Sequence, residues 1–359
     1  MSRSDKIIKS LIYVLGGLAT IGFLVTKNAA LLEWVTTRDY GYGDLYRFSK
    51  IKRFKPSSPL PAGKFANRDS IDQGKQRPDK GDEILLGDSF SFADYGETPF
   101  HMQLQKELQL PIFSVYANQH EAFWHNPYLM FDSRTSQPKF KKLLVYEIVE
   151  RNIPWHFANP LTTNQFAQEA ARASSFRLSP IIKQYLFDNS EARHEALLKH
   201  NFITAPVITL FNSAAFELFR QMPAETPLYS VKPPFLFYRQ DQECFQAVHD
   251  EELVAHLADN IALLDRNLKE YFGYTLVLVP IPDKLTLYSQ YALDKRYDNF
   301  LPRLCFALKA RGVCTVELLP EFRQQTEFLF WPTDNHWNNK AIRIAVEQTL
   351  KTLRQANPG

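Results

Sequence analysis

An α/β fold, with a mostly parallel sheet covered by helices on both faces, is the architecture this sequence predicts. Short aliphatic runs alternate with helical stretches along most of the chain, the arrangement that produces parallel strands joined by crossovers. A stretch over residues 251–271 places Leu253, Leu257, Ile261, Leu264 and Leu268 at close to a 3.6-residue period, the mark of a helix packed by one face. At 359 residues with 45% hydrophobic side chains, the chain can bury the core such a sheet needs.

The elements follow in order. The run Ile84-Leu85-Leu86 predicts a strand over 83–86, followed by a helix over 92–107 and strands over 112–116 and 142–147. Residues 163–219 read as helical with little strand signal, and a helical insertion or cap is expected over about 160–225. A strand over 235–238, the helix at 251–271, a strand over 275–280, a helix over 299–310, a strand over 313–318 and a last helix over 339–354 complete the pattern.

Composition excludes several classes. With 42 basic and 39 acidic residues the net charge is +3, so nothing suggests a nucleic-acid partner. The 28 Phe, 16 Tyr and 5 Trp suit both a large aromatic core and stacking on sugar rings. Cys244, Cys305 and Cys314 form no Cys-x-x-Cys pair and no histidine cluster has metal-ligand spacing, so neither a metal nor a cofactor is expected. The odd count leaves room for at most one disulfide.

Residues 11–25 carry no charge and follow Arg3, Lys6 and Lys9, the pattern of a signal peptide or signal anchor. An uncleaved single-pass anchor over 1–30 is the expectation, its amino terminus cytoplasmic and the remainder outside. A removed signal or a buried core helix are the alternatives. Residues 31–81, polar and proline-rich from position 50 onward, are expected to tether this anchor to a domain spanning 82–359.

Two strings carry the chemistry. Gly87-Asp88-Ser89-Phe90 directly follows the first strand, where ligands of open parallel sheets sit, and Gly87 permits a tight turn there. Thr333-Asp334-Asn335-His336-Trp337-Asn338 precedes the last helix. A serine hydroxyl needs an imidazole to take its proton, and the imidazole needs an acceptor that fixes its tautomer. Ser89, His336 and Asp334 supply that set. Asp-Ser and Asp-x-His each also occur in ordinary turns and caps; their joint occurrence, nucleophile first and base last in an alternating stretch, points to a catalytic triad.

These two strings, with Val279-Pro280-Ile281-Pro282-Asp283-Lys284 and Tyr288 between them, resemble the SGNH-hydrolase-like domain of the alginate O-acetyltransferase family over roughly residues 82–355. The resemblance implies a three-layer, flavodoxin-like α/β/α fold. It also implies a Ser89-His336-Asp334 triad acting on acetyl esters of a polysaccharide, and an acetyl donor delivered by an integral-membrane acyltransferase partner. The site would face the periplasmic side of a bacterial inner membrane. Two departures accompany it. In the alginate enzymes the Asp-x-His block precedes the serine, whereas here the serine comes first as in ordinary SGNH hydrolases. The Gly-x-Asn-Asp block of those hydrolases is also missing, since Tyr146-Glu147-Ile148-Val149-Glu150-Arg151-Asn152 follows the third strand.

The oxyanion donor is therefore unassigned. Arg151 and Asn118 are candidates, against a salt bridge of Arg151 to Glu147 or Glu150 and a plain turn role for Asn118. Lys284, in a loop stiffened by Pro280 and Pro282, is a candidate for binding an anionic sugar or the polarised carbonyl, against a solvated loop charge. Trp337 reads either as a stacking platform or as a buried anchor. The expected activity is O-acetyl transfer to a polysaccharide through an acetyl-serine. An acetyl esterase and a non-catalytic polysaccharide-binding scaffold are the rival readings.

Overall fold

A computed structural model describes residues 44–54, 83–92, 98–116, 126–131, 142–159 and 204–356, with residues 13, 16, 17, 21, 124 and 201 as isolated positions. In chain order the elements that frame the site are α1 (Asp44–Ser49), β1 (Glu83–Gly87), α2 (Ser89–Phe92), α3 (Phe100–Leu108), β2 (Ile112–Tyr116), β3 (Lys142–Val149) and α4 (Ile153–His156). Next come α5 (Thr204–Phe219), β4 (Leu228–Tyr229), β5 (Leu236–Phe237), α6 (Arg239–Gln246), α7 (Glu251–Asn267), β6 (Tyr274–Ile281) and α8 (Lys284–Tyr288). The chain closes with α9 (Phe300–Ala310), β7 (Cys314–Thr315), α10 (Leu319–Arg323) and α11 (Asn339–Ala356).

Five of the strands form one parallel sheet in the order β2-β1-β3-β6-β7. Its central strands are apolar at consecutive positions because both faces are covered. Ile84, Leu86, Leu144, Tyr146, Leu276 and Leu278 pack against α7 and α9 through Leu257, Ile261, Leu264, Leu304 and Leu308. The intervening residues Leu85, Val145, Val277, Val279 and Ile281 face α3 and α11 through Phe100, Leu104, Ala341, Ile342 and Ala345. Each fully buried Leu, Ile or Phe contributes about 1.5–3 kcal/mol to holding these layers together. Because the chain leaves β1 for β2 on one side and returns to β3 on the other, the order reverses at β1, and the crevice beyond the carboxyl ends of β1 and β3 is the natural place for a ligand.

The structure departs from the sequence reading in several places. The strand expected at 235–238 does not join the main sheet. Its core, β5, pairs antiparallel with β4, and Leu236 N–H donates to the Pro332 carbonyl at 3.0 Å, so it serves the loop ahead of α11 instead. The strand expected at 313–318 is reduced to two residues as the chain turns into α10, with Pro320 in its first turn. Helix α7 ends in a π turn over Leu268–Phe272 closed by Gly273, whose φ of 73° suits a residue without a side chain. Of the helical insertion, α5 is described and residues 160–200 lie outside the described residues.

The stretch expected as a tether is not one over residues 44–54. Leu45, Ile51 and Phe54 are fully buried and form a small cluster with Phe216 of α5 and Leu236 of β5. Asn212 of α5 donates to the Ser49 carbonyl at 2.8 Å. Apolar side chains at 45, 51 and 54 dock there although the sequence is polar from position 50 onward. The expected anchor lies outside the described residues apart from Tyr13, Gly16, Gly17 and Ile21, and among the described residues no helix is long and apolar enough to cross a membrane. All three cysteines carry free thiols.

Candidate active site

Ser89 is the first residue of α2, immediately past β1, and three features hold it there. The Asp88 side chain caps the helix, its Oδ1 accepting the Phe90 N–H at 2.8 Å. From the adjacent strand β3, the buried Glu147 carboxyl accepts the Asp88 N–H at 3.0 Å and the Ser91 hydroxyl at 2.9 Å. Gly87 makes room for that carboxyl. A Cβ there would lie 2.7 Å from Glu147 Oε2 and 2.5 Å from Ser91 Oγ, so the glycine is needed for close approach rather than for the tight turn the sequence suggested. Burial, and then the Asp88 carboxylate, push Glu147 well above the usual carboxylate range, which favours its neutral form beneath the turn.

His336 and Asp334 reach the same place from the opposite end of the chain, on the loop between α10 and α11. His336 Nε2 lies 2.8 Å from Ser89 Oγ, and its Nδ1 lies 2.7 Å from Asp334 Oδ1. Asp334 Oδ1 also accepts the His336 N–H at 2.9 Å, which fixes the short span between them. The three side chains singled out from sequence are thus in continuous hydrogen-bond contact. Burial opposes charge on His336, but Asp334 above all, then Asp44 and Asp88, lift its pKa above the ordinary 6.5. Burial would likewise raise Asp334, yet the His336 ring and its hydrogen bonds hold the carboxyl below its ordinary value.

Trp337 resolves to the anchoring role. It is fully buried, and its Nε1 donates to the Phe90 carbonyl at 2.9 Å, which ties the histidine loop directly to the serine turn. The Phe90 ring also lies against the His336 imidazole, with centroids 4.8 Å apart.

Lys284 corrects the expectation of a substrate-binding cation. It is fully buried at the start of α8, and its ammonium donates to the carbonyls of Leu236, Trp331, Pro332 and Asp334 at 2.6–3.1 Å. Instead of facing a sugar, it gathers the backbone of the histidine loop around one charge. Burial lowers its pKa to about 7, against the pull of the Asp334, Asp241 and Asp44 carboxylates.

Arg151 also differs from both sequence readings. Its Nη1 pairs with Asp241 at 3.1 Å and Asp283 at 2.6 Å, and not with Glu147 or Glu150. With the Asn335 amide turned to satisfy its surroundings, Oδ1 accepts from Arg151 Nη2 at 2.9 Å and Nδ2 donates to Asp241 at 3.1 Å. Both terminal nitrogens are therefore committed, and Arg151 is a tie beneath the loop rather than a free oxyanion donor. Burial works against its charge, and Asp241, Asp283 and Asp88 more than offset it. Asn118 lies outside the described residues.

Sequence reasoning gave no role to Asp44, Asp241 and Asp283, and considered Glu147 and Glu150 only as partners of Arg151. Glu150 accepts the Asp283 N–H at 3.0 Å, the Thr286 hydroxyl at 2.7 Å and the Tyr297 hydroxyl at 2.6 Å. One signal was available: two glutamates inside the apolar strand run 142–150 read as edge positions only if the strand is not central, and a central strand forces them inward.

No curated protein and no solved structure matches the chain. Residues 231–359 match the family model described as the SGNH hydrolase-like domain of the acetyltransferase AlgX. The matched segment holds Lys284, Asp334 and His336, while Ser89 and Arg151 precede it. Through its carboxy-terminal part, the portion that carries the histidine loop, this chain is similar to the SGNH hydrolase-like domain of an acetyltransferase.

Proposed function

We propose that the protein is a membrane-anchored, extracytoplasmic O-acetyltransferase that uses Ser89, His336 and Asp334 to move an acetyl group onto a polysaccharide hydroxyl. The observation that carries this reading is the unbroken contact from Asp334 Oδ1 through the His336 ring to Ser89 Oγ, at 2.7 and 2.8 Å. The similarity of residues 231–359 to an acetyltransferase domain supports acyl chemistry, and the apolar run after Arg3, Lys6 and Lys9 supports the anchor.

In the first half-reaction Ser89 Oγ attacks the carbonyl carbon of an acetyl ester as its proton passes to His336 Nε2. The C–O bond to the leaving group breaks, and the imidazolium returns the proton to that oxygen. Asp334 keeps Nδ1 protonated and offsets the charge gained by the ring. In the second half-reaction a sugar hydroxyl loses its proton to His336 and attacks the acetyl-serine carbonyl, the bond to Ser89 Oγ breaks, and the imidazolium returns the proton to Oγ. The N–H of Ser89, at the first position of α2, has no intrahelical acceptor and is the backbone donor this reading assigns to the oxyanion. An integral-membrane acyltransferase would supply the acetyl donor, and the anchor would keep the domain beside it at the periplasmic face of the inner membrane.

Water in place of the sugar turns the same steps into ester hydrolysis, and a scaffold that only binds polysaccharide would need none of them. The test incubates the full chain with an activated acetyl ester and follows ester cleavage and protein mass. A mass gain of one acetyl group, absent in Ser89→Ala, supports the nucleophile, and acetyl transfer to added glycan over water separates transferase from esterase. No cleavage and no adduct from folded protein leaves the scaffold reading.

A further inference from the structure

The histidine loop is braced from a part of the chain that the sequence places between membrane and domain. Asp44, at the start of α1, accepts the Asn335 N–H with Oδ1 at 2.8 Å and the Leu45 N–H at 2.7 Å. Its Oδ2 stands 4.0 Å from His336 Nδ1, the same nitrogen that bonds Asp334. Two residues on, the Tyr46 N–H donates to the Thr333 carbonyl at 2.9 Å. The loop is therefore gripped on two sides, by the Lys284 ammonium on the carbonyls of residues 331, 332 and 334, and by α1 on the Thr333 carbonyl and the Asn335 N–H. Leu45, fully buried with Ile51 and Phe54, keeps α1 from lifting away.

We infer that Asp44 is a positioning residue for His336, a second carboxylate that holds the Asn335 peptide in place and adds negative charge beside the imidazole. The inference rests on the proposed acyl-transfer reading for its kinetic consequence, though not for the geometry. It also makes the site depend on residues ahead of β1, so that the stretch joining the anchor to the domain forms part of the active centre.

The surroundings are crowded with charge. Asp334 and Asp88 face the same imidazole. Asp44 is itself faced by Asp334, His336 and Arg47, and it lies within electrostatic reach of Tyr238, Asp241 and Lys284. Burial first, then Asp334, raises the Asp44 pKa, while His336 and the Asn335 N–H draw it back. An acid so placed favours the protonated ring, so removing its charge moves the titration of His336 to lower pH.

The test uses the full-length chain with an activated acetyl ester, together with histidine NMR titration in which His336→Gln identifies the ring. Asp44→Asn keeps an oxygen for the Asn335 N–H and removes only the charge. It shifts both the His336 titration and the acid limb of kcat/KM to lower pH, with a modest loss of rate. Asp44→Ala also removes the acceptor and lowers kcat about 10- to 100-fold with KM little changed. Asp44→Glu restores both in part. A purely structural role predicts a loss of rate with the acid limb unmoved. The inference is overturned if Asp44→Asn leaves the titration of His336 where wild type has it, or if Asp44→Ala leaves kcat within twofold. Should Asp44→Ala fail to fold, the Asn and Glu variants carry the test. If wild type itself cleaves no ester and gains no acetyl group, the acyl-transfer reading fails, and the titration of His336 still decides the part of Asp44.

Discussion

The serine turn and the histidine loop meet at hydrogen-bond distance, yet they are held by opposite chemistry. Residues 87–91 ride on a central strand, and the carboxyl of Glu147 on the neighbouring strand collects an N–H and a hydroxyl from below. Residues 331–337 have only a single isolated bridge between Phe330 and Trp337 for regular structure, and the Lys284 ammonium collects four carbonyls. A turn at a strand end exposes N–H groups and is met by an acid, while an irregular loop with its carbonyls turned inward is met by a cation. The first is built into the sheet and the second into a single side chain, so the histidine half should be the more fragile.

Removing that side chain should give the largest effect. Lys284→Met fills much of the same space but removes the ammonium from the carbonyls of Leu236 and Asp334, while those of Trp331 and Pro332 keep only the N–H groups of Asp334 and Leu236. Each uncompensated buried acceptor costs about 1–3 kcal/mol, so a stability loss on the order of 3 kcal/mol or more is expected, even after relaxation. Ester cleavage should fall by about 100-fold or more as His336 loses its fixed place. Urea unfolding and initial rates check both. A variant with the wild-type midpoint and a rate within threefold would mean that Asp44, Trp337 and Asn335 suffice to hold the loop.

Breaking the serine side should cost less. In Gly87→Ala the new methyl meets Ser91 Oγ at 2.5 Å and Glu147 Oε2 at 2.7 Å. Neither side chain has anywhere to go, since Ser91 and Glu147 are both fully buried. Overpacking of this kind costs about 1–3 kcal/mol, and displacement of the turn should lower the rate about 10- to 100-fold. Adding Ser91→Gly removes the nearest obstacle and should recover part of both losses. Equal activity of Gly87→Ala and wild type would show that the turn can slide without losing the contact to His336.

The same contrast explains what was legible in the sequence. The serine turn was visible because its strand is a run of three aliphatic residues ending in Gly-Asp-Ser, and the parallel sheet followed from apolar runs alternating with a periodic helix. His336 and Asp334 were visible because their spacing is local. The supports were hidden because each pairs a polar side chain with a partner far away in sequence. Nothing in Lys284 itself separates an ammonium buried on four carbonyls from one in solvent, and Asp44 lies 290 residues from the histidine loop's Asp334. Arg151 was read as an oxyanion donor or a partner of Glu147 or Glu150, because its partners Asp241 and Asp283 come from distant segments that only folding brings together. The short helices α6, α8 and α10 were missed because each spans eight residues or fewer, too short for a period to register.

Glu147→Gln sharpens the serine side with a smaller expected change. Because burial and Asp88 favour the neutral acid, the amide is close to an isostere and keeps an oxygen for the Asp88 N–H and the Ser91 hydroxyl. A cost within about 1 kcal/mol and a rate within about threefold of wild type are expected. Glu147→Ala, which leaves both donors unpaired, should cost about 2–4 kcal/mol. If the Gln variant were as damaged as the Ala variant, the carboxyl would have to be ionised in the native protein.

Glu150 supports the histidine side from the end of β3, where it holds the Asp283 N–H just ahead of Lys284. Its pKa is raised to about 8, by burial first and then by Asp283. The folded protein therefore keeps a proton that the unfolded chain has already lost above its ordinary value of 4.5. The stability this provides is fully present below that value and is lost as pH rises through about 8. Glu150→Gln removes the titrating group while keeping an oxygen for the Asp283 N–H and the Thr286 hydroxyl. Its urea midpoint should fall less than that of wild type between pH 5 and pH 8, the two proteins drawing together at the upper end. Parallel curves for the two proteins would mean that the proton is not held at Glu150. The pH-sensitive support beneath the Lys284 anchor would then be sought at Asp241 and Asp283, which burial also pushes above their ordinary range.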